Sequence, residues 1–368
     1  MTTPVIPMRP SEETVKTLNL LVERIEANPG RLIDPKEMAE AGETIDVSNV
    51  LETLPDGLSQ EDFVGILRLS MLTECATESY AAIFREGARV HDAPWLARFT
   101  DRTWVPDELS HASPFKAMLM SLGFSEAELD SEIADVQDAR YDHCCGITPV
   151  ELTAYGMIQE QLTDQWHGLV ADLIKPVAPY AAHMANRVKA RETQHLMWYR
   201  EMTAILVAGK PDLLPLVADA ILGFQMPGRQ LLPELQGRAL YWMPPLKADF
   251  TKVAKDLVRN FSEVAGSSRG SGELLTDVAS RRGFSIGPIP IRMAKVILRQ
   301  LGGLGYEVLG EAVRERVGLP VAWSNGNDEQ GRRGFHWGLP GKIRSAARSQ
   351  VAQRIDLRAV TGETTPRS

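Results

Sequence analysis

The chain has 368 residues, a formal net charge of −8 at pH 7, and ordinary globular proportions of hydrophobic (44%) and charged (24%) residues. This composition argues against the disordered, collagen-like and coiled-coil classes, and the negative charge argues against wholesale nucleic-acid binding. The length allows one large helical domain with an appended segment, or two average domains.

The sequence predicts neither export nor a membrane span. Its first ten residues lack the charged and long apolar regions of a secretory signal. The most apolar stretch, 213–226, contains Asp219 and is shorter than the roughly 20 residues that cross a bilayer. The three cysteines (Cys75, Cys144 and Cys145) fit no disulfide framework and no Cys-x-x-Cys metal pattern. We therefore expect a cytoplasmic protein.

Helical periodicity dominates the first two thirds of the chain. Capping patterns such as Ser59 followed by Asp62 open the helices, and proline or glycine closes them. The four longest would each be about 40 Å long at 1.5 Å per residue, which suits an antiparallel bundle. The predicted helices span residues 11–27, 59–84, 94–122, 125–141, 148–175 and 180–207.

Proline and glycine become more frequent beyond Pro227. A further helix is predicted at 291–317 and an irregular loop at 323–342. From Ile291 onward Arg and Lys outnumber Asp and Glu, which indicates either a solvated surface or a contact for an acidic partner. The predicted organisation is an N-terminal helix and connecting segment (1–58), a bundle core (59–228) and a mostly helical and loop extension packed on it (229–368).

Two Glu-x-x-His motifs carry the strongest chemical signal. They are Glu108-Leu-Ser-His111 and Glu192-Thr-Gln-His195, each on a predicted long helix. Residues three apart project from one face of a helix, so each pair could share a metal ion. Either motif alone is weak evidence, because a pattern this short arises by chance.

Glu74 and Glu160 complete the pattern, one on each of the other two long helices, 34 and 32 residues before the motif glutamates. This is the arrangement of the di-iron carboxylate bundles. Four carboxylates and two imidazoles would neutralise two Fe(II) ions and leave positions for O2, although zinc and manganese accept the same donors. Glu78, one turn after Glu74, competes as the first ligand. The alternative is that all six residues are ordinary surface or salt-bridged residues on amphipathic helices.

The segment 155–168, YGMIQEQLTDQWHG, resembles the third-helix signature of the soluble acyl-acyl-carrier-protein desaturases. In that family a ligand Glu is followed by Thr at +3 and His-Gly at +7. The segment 73–80, TECATESY, resembles the family's first ligand helix and selects Glu74 over Glu78. Both Glu-x-x-His motifs and the pair Met226-Pro227 match as well, so that the resemblance spans about residues 60–228.

The resemblance implies an all-α fold, a ferritin-like di-iron four-helix bundle core with additional helices. It implies two iron ions cycling between Fe2+ and Fe3+, O2 as co-substrate, and removal of two hydrogens from an acyl chain held as an acyl-carrier-protein thioester. Thr163 would assist proton delivery beside the oxygen-binding face, or would merely bond back to a carbonyl one turn earlier. The implied metal ligands are Glu74, Glu108, His111, Glu160, Glu192 and His195.

The sequence also departs from the family's pattern. The family usually has an Asp that bonds a ligand histidine where this chain has Arg191, and Asn-Arg where it has Leu109-Ser110. Asp107, just before Glu108, could orient the opposite histidine. His167 is expected to pack or to hydrogen-bond, because six ligands are already assigned.

Two other function classes remain open at this point. One is a di-iron hydroxylase or N-oxygenase of a small metabolite, although Val188 occupies the position where arylamine N-oxygenases typically add a histidine. The other is a non-catalytic ferritin-like metal-binding protein. Since no cysteine cluster or nucleotide fingerprint could supply electrons, an enzyme would need a separate ferredoxin-like donor. We also expect a homodimer.

Overall fold

A computed structural model of the protein describes residues 9–40, 42–139, 141, 145–266 and 274–275. Across these residues every regular element is a helix and there is no strand, which confirms the all-α, ferritin-like bundle expected from the sequence. In the same residues no helix is both long enough and apolar enough to cross a bilayer. The helix expected at 291–317, the loop at 323–342 and the basic segment from Ile291 lie outside the described residues.

Capping follows the predicted chemistry at the helix starts. Ser59, Ser125 and Thr148 each accept from the backbone N–H three residues later, and an acidic residue at that position bonds back. Short 3₁₀ turns lie at Ser48–Glu52 and Pro211–Leu213. The α-helices are α1 (Glu12–Ala27), α2 (Pro35–Glu40), α3 (Gln60–Cys75), α4 (Thr77–Val90), α5 (Pro94–Phe99), α6 (Val105–Ser121), α7 (Glu126–Gln137), α8 (Pro149–Ile174), α9 (Pro179–Gly209), α10 (Leu214–Gly223), α11 (Gly228–Leu231), α12 (Pro233–Trp242) and α13 (Phe250–Ala265).

The bundle core consists of α3 with α4, α6, α8 and α9. The most extensive contact joins α8 and α9, and α6 packs on both α3 and α9. Gly156 of α8 allows this closeness, since its α-carbon faces the buried ring of Tyr199 on α9. After the bundle, α12 packs on α3, and α13 packs on α8 and α9. The helices beyond residue 228 therefore cover the bundle.

The single long helix predicted at 59–84 is wrong, because the chain forms two helices separated at Ala76. Near the break the hydroxyl of Thr77 donates to the carbonyl of Glu74, and the hydroxyl of Tyr80 donates to that of Thr73 at 2.9 Å. Side-chain hydroxyls that bond nearby carbonyls offer the backbone an alternative to continuous helix. Glu74 consequently lies in the last turn of α3.

The helix predicted at 94–122 is also interrupted, by a π-helical turn at Thr100–Trp104 that joins α5 to α6. Pro106 follows this turn and has no N–H to offer the carbonyl of Arg102, which favours a departure from regular α-helix. The turn lies just before Glu108 and changes the rotational register of α6 relative to α5.

We predict that Gly156→Ala destabilises the fold. A β-carbon at this position would lie 2.7 Å from two ring carbons of Tyr199, and Phe84, Phe99 and Trp104 confine that ring. Overpacking of this kind costs about 1–3 kcal/mol. Denaturant unfolding should show the loss. Gly237→Ala in α12 is the matched control: its β-carbon meets no described atom within 4 Å, so the helix should gain about 0.5–1 kcal/mol. Equal effects at the two sites would contradict this account of the α8–α9 contact.

Candidate metal centre

Six acidic and imidazole side chains from four helices meet in the interior of the bundle. Each is at most 3% exposed. They form two overlapping groups whose ligand atoms lie within 4.8 Å of one another, and Glu108 and Glu192 belong to both groups. One group is Glu74, Glu108, His111 and Glu192, and the other is Glu108, Glu160, Glu192 and His195. The structure thus brings together all six residues that the sequence singled out.

The two Glu-x-x-His motifs interlock across the bundle. The Nδ1 atom of His111 lies 2.6 Å from Oε1 of Glu192, and Nδ1 of His195 lies 2.7 Å from Oε1 of Glu108. Each histidine therefore faces the glutamate of the other motif. Their rings are nearly parallel, at 18°, with centroids 5.4 Å apart.

Burial and mutual repulsion perturb the carboxyl groups. Burial and the charge of Glu192 raise the pKa of Glu108 from 4.5 to about 8. Burial and the charges of Glu108 and Glu192 also raise the pKa of Glu160. Burial alone would lower the pKa of His195, but hydrogen bonds with Asp107 and Glu108 outweigh it and raise the value to about 9. A buried cluster in which carboxylates outnumber histidines favours the binding of cations, because cations relieve the repulsion between the carboxylates.

Several buried polar atoms in the cluster lack ordinary partners. Among the described residues, no hydrogen bond reaches either ring nitrogen of His111, Oε2 of Glu160 or Oε1 of Glu192. The close approach of His111 to Glu192 is therefore not aligned as a hydrogen bond. Buried polar atoms without partners are costly. Two metal ions held by carboxylate and imidazole donors would satisfy Nδ1 of His111, Oε2 of Glu160 and Oε1 of Glu192 and would offset the repulsion, so the cluster fits the metal pair that the sequence implies.

Glu78, the rival of Glu74 in the sequence, lies outside the cluster. Its side chain is 43% exposed and pairs with Arg85 at 2.7 Å. Glu74 instead lies in the core, where its Oε1 is 2.9 Å from Nε2 of His167. The expectation that His167 makes a hydrogen bond agrees with this contact.

Asp107, Arg191 and Thr163 surround the cluster. Oδ2 of Asp107 lies 2.8 Å from Nε2 of His195, as expected for a residue that orients the opposite histidine. Arg191 donates from Nε to the same oxygen at 2.9 Å. Thr163 lies 2.9 Å from Oε2 of Glu192 and 3.2 Å from the carbonyls of Gln159 and Glu160. The hydroxyl of Thr163 therefore reaches a carbonyl one turn earlier, as the sequence allowed, and also contacts a carboxylate of the cluster.

Sequence reasoning missed the contact of Trp104 with the cluster. Its indole N–H donates to Oε1 of Glu160 at 3.1 Å. Trp104 precedes Glu108 by four residues, and this spacing places residues on one face of a continuous helix. That signal was available, although the π-helical turn ending at Trp104 makes simple helical spacing an unreliable guide here.

A cavity of about 290 Å³ adjoins the cluster. Thr73, Thr163 and Met226 line both this cavity and the small space beside Glu108 and Glu160. Most of its surface is apolar, whereas exposed charged residues stand at its outer rim. The apolar wall includes Leu69, Leu162, Ala239, Met243, Phe250 and Val253, and the rim includes Asp172, Lys247 and Lys252.

Comparison with known proteins adds one match. A family model described as fatty acid desaturase matches residues 32–257, more than half of the chain. A search of curated proteins found no match.

The metal-free protein should lose stability as the pH rises from about 6 to 9. The folded state keeps a proton on Glu108 up to about pH 8 and on His195 up to about pH 9, whereas ordinary values are 4.5 and 6.5. Between each pair of values the folded state binds the extra proton, so its stabilisation is full at the lower pH and is lost at the higher. The slope is about 1.4 kcal/mol per pH unit for each such group. Denaturant unfolding at a series of pH values, with a chelator present to keep the protein metal-free, would measure this slope.

Glu108→Gln provides the control for this pH dependence. It removes the titration of one of these groups and should make the slope shallower. A metal-free protein whose unfolding free energy is constant from pH 6 to 9 would contradict the proton assignment.

Proposed function

The chain belongs to the fatty acid desaturase family, and we propose that it is an O2-dependent di-iron oxidoreductase acting on an acyl chain carried as an acyl-carrier-protein thioester. The reaction converts a CH2–CH2 unit into CH=CH and reduces O2 to two water molecules. The two hydrogens removed supply two electrons and two protons. Two further electrons and two protons come from outside the active site.

The observation that carries this proposal is the junction between the apolar cavity and the ionisable cluster. An acyl chain needs apolar walls along most of its length and one point where it meets the reactive centre. Thr73, Thr163 and Met226 mark that point, since they line both spaces. The charged residues at the rim would contact the polar thioester end of the substrate, outside the apolar cavity. A protein that only stores metal has no need for such a cavity.

Glu74, Glu108 and His111 would hold one iron ion together with Glu192, and Glu160 and His195 would complete the second position. When bound, the two ions supply the activation of O2. The protein residues hold the ligands in place and exclude water, because the six side chains are buried. Glu108 and Glu192 belong to both groups and would contribute to both positions.

Thr163 would handle protons at this centre. Its hydroxyl lies at the junction and contacts the carboxylate of Glu192 at 2.9 Å. A hydroxyl both donates and accepts, so Thr163 can pass a proton between Glu192 and the cavity. The hydroxyl has a single proton, and the carbonyls of Gln159 and Glu160 at 3.2 Å are its alternative acceptors.

The partners also belong to the proposal. Electrons would come from a ferredoxin-like protein, and the acyl group from an acidic carrier protein, with the enzyme acting as a cytoplasmic homodimer. The division into 1–58, 59–228 and 229–368 likewise stays a prediction. The basic segment expected to meet the carrier lies outside the described residues.

Anaerobic titration with Fe(II), followed by turnover on acyl-carrier protein, tests the proposal. We expect two iron ions per chain and a product two mass units lighter than the substrate, formed only with O2 and a ferredoxin reducing system. Glu160→Gln should lose one iron ion and the activity, because it removes a carboxylate of one group. Iron stoichiometry unchanged in Glu160→Gln, Glu108→Gln and Glu192→Gln would refute the metal site.

Ala239→Phe separates the cavity from the metal centre. Ala239 lines the cavity but is not among the cluster residues, so the variant should bind two iron ions and lose acyl turnover.

Two outcomes with the wild-type protein would favour the other function classes. A product one oxygen heavier than the substrate would identify a hydroxylase. Metal loading with no product on acyl-carrier protein, acyl-coenzyme A or free acid would favour the non-catalytic alternative.

Thr163→Val should reduce turnover by about 100-fold, the lower end of the range for positioned proton transfer, while iron stoichiometry is kept. The matched control is Thr153→Val on the same helix, where the buried hydroxyl bonds back to the carbonyl of Val150. Turnover per bound iron pair would be compared. Equal losses in the two variants would show that Thr163 matters only for the helix.

A further inference from the structure

Arg191 is a buried cation on the outer side of the metal centre. It occupies the position before Glu192, and its side chain reaches Asp107 on α6. Nε donates to Oδ2 of Asp107 at 2.9 Å, and one terminal nitrogen donates to the same oxygen. The guanidinium also lies over the ring of Trp198, 5.6 Å from its centroid. Arg191 is therefore fixed on several sides.

Asp107 stands between the two histidines of the cluster. Its Oδ2 lies 2.8 Å from Nε2 of His195, and its Oδ1 lies 3.5 Å from Nε2 of His111. Neither Oδ1 of Asp107 nor Nε2 of His111 has a hydrogen-bond partner in the described part of the chain. A single carboxylate thus faces the outer nitrogen of both histidines. Such outer contacts fix the orientation of metal-ligating histidines.

The segment 29–33 closes over Arg191 from the N-terminal side. A terminal nitrogen of Arg191 donates to the carbonyl of Pro29. Gly30 has φ +85°, and a β-carbon there would overlap Nη1 of Arg191. At its other end the segment is tied to α6, since the amide of Ile33 donates to the hydroxyl of Ser110 at 3.2 Å.

These contacts give a physical account of both departures from the family pattern. Ser110 receives the segment 29–33, and Arg191 joins that segment to Asp107. With Arg191 in place, two donors reach Oδ2 of Asp107 and hold the carboxylate in one orientation. An acidic residue at position 191 could donate nothing to it and would repel it.

We propose that Arg191 is a positioning residue of the metal centre: held by the segment 29–33, it fixes Asp107 so that one carboxylate orients both His111 and His195. This inference rests on the proposed function in one respect: it requires that the cluster binds metal ions, and it does not depend on the substrate. It makes the N-terminal segment part of the support of that site, although the segment contributes no ligand.

Titration of the full-length protein with Co(II) tests the inference without turnover. Co(II) reports its ligand geometry through its visible absorption bands. Arg191→Gln should bind Co(II) about 10- to 100-fold more weakly, the usual effect of losing an outer partner of a ligand, with shifted bands. The Co(II) affinity of Arg191→Lys should lie between those of the wild type and Arg191→Gln, because an ammonium group keeps the charge but lacks the several N–H donors of a guanidinium.

Gly30→Ala reaches the same contact from outside the bundle. The added methyl displaces Arg191, so Co(II) should bind more weakly than in the wild type. Gly42→Ala is the matched control, since Gly42 has a similar φ of +84° and no described atom within 4 Å of the added carbon. It should bind Co(II) as the wild type does. Combining Gly30→Ala with Arg191→Gln should weaken binding no further than Arg191→Gln alone.

Hydrogen exchange gives a second readout in the metal-free protein. Arg191→Gln should speed the exchange of the Ile33 amide, while amides of α1 stay protected. Wild type that binds two Co(II) ions, together with unchanged affinity and spectra in Arg191→Gln and Gly30→Ala, would overturn the role of Arg191 alone. Wild type that binds no metal would overturn the proposed function, and this inference with it.

Discussion

The reciprocal contact between the two Glu-x-x-His motifs is the constraint on which the rest of the structure depends. His111 faces Glu192, and His195 faces Glu108, at 2.6 and 2.7 Å. Ionisable groups at this depth are expensive unless opposite charges lie within contact distance. Two helices that carry such groups can therefore approach only in a register that pairs them. The bundle has to supply that register, and metal ions would supply the charge that the carboxylates lack.

The packing around the cluster serves this register. Gly156 lets α9 approach α8, so that the carboxylates of Glu160 on α8 and Glu192 on α9 lie within 4.8 Å of each other. Trp104 packs on Tyr199 and also donates to Glu160. The same side chains thus fill the core and fix a carboxylate. A substitution that loosens the aromatic packing is therefore expected to act on the metal centre as well.

The sequence predicted most of what local rules decide. Capping and periodicity located α1, α8 and α9 to within a few residues. The two Glu-x-x-His motifs and the spacing of the other glutamates, together with the family resemblance that preferred Glu74 to Glu78, selected the six residues that converge. The break at Ala76 was missed because hydroxyls, and not proline or glycine, accompany it. The sequence placed Arg191 beside the metal ligands but did not predict its contacts, because its partners Asp107 and Pro29 lie 84 and 162 residues away in the sequence. No periodicity reports a contact between such distant residues.

Part of the cavity wall comes from helices that contribute no residue to the ionisable cluster. The ligands come from α3, α6, α8 and α9, whereas Ala239, Met243, Phe250 and Val253 of the cavity wall lie on α12 and α13 or between them. In the sequence, α12 and α13 come after the segment 60–228, which contains all six residues of the cluster. Substitutions in α12 and α13 would alter the shape of the cavity without touching a ligand. In the proposed function the cluster would set the reaction, and these helices, together with Leu69 and Leu162, would select the acyl chain. Thr163 lies where the two meet, and it is therefore the position at which a change in substrate would also affect the chemistry.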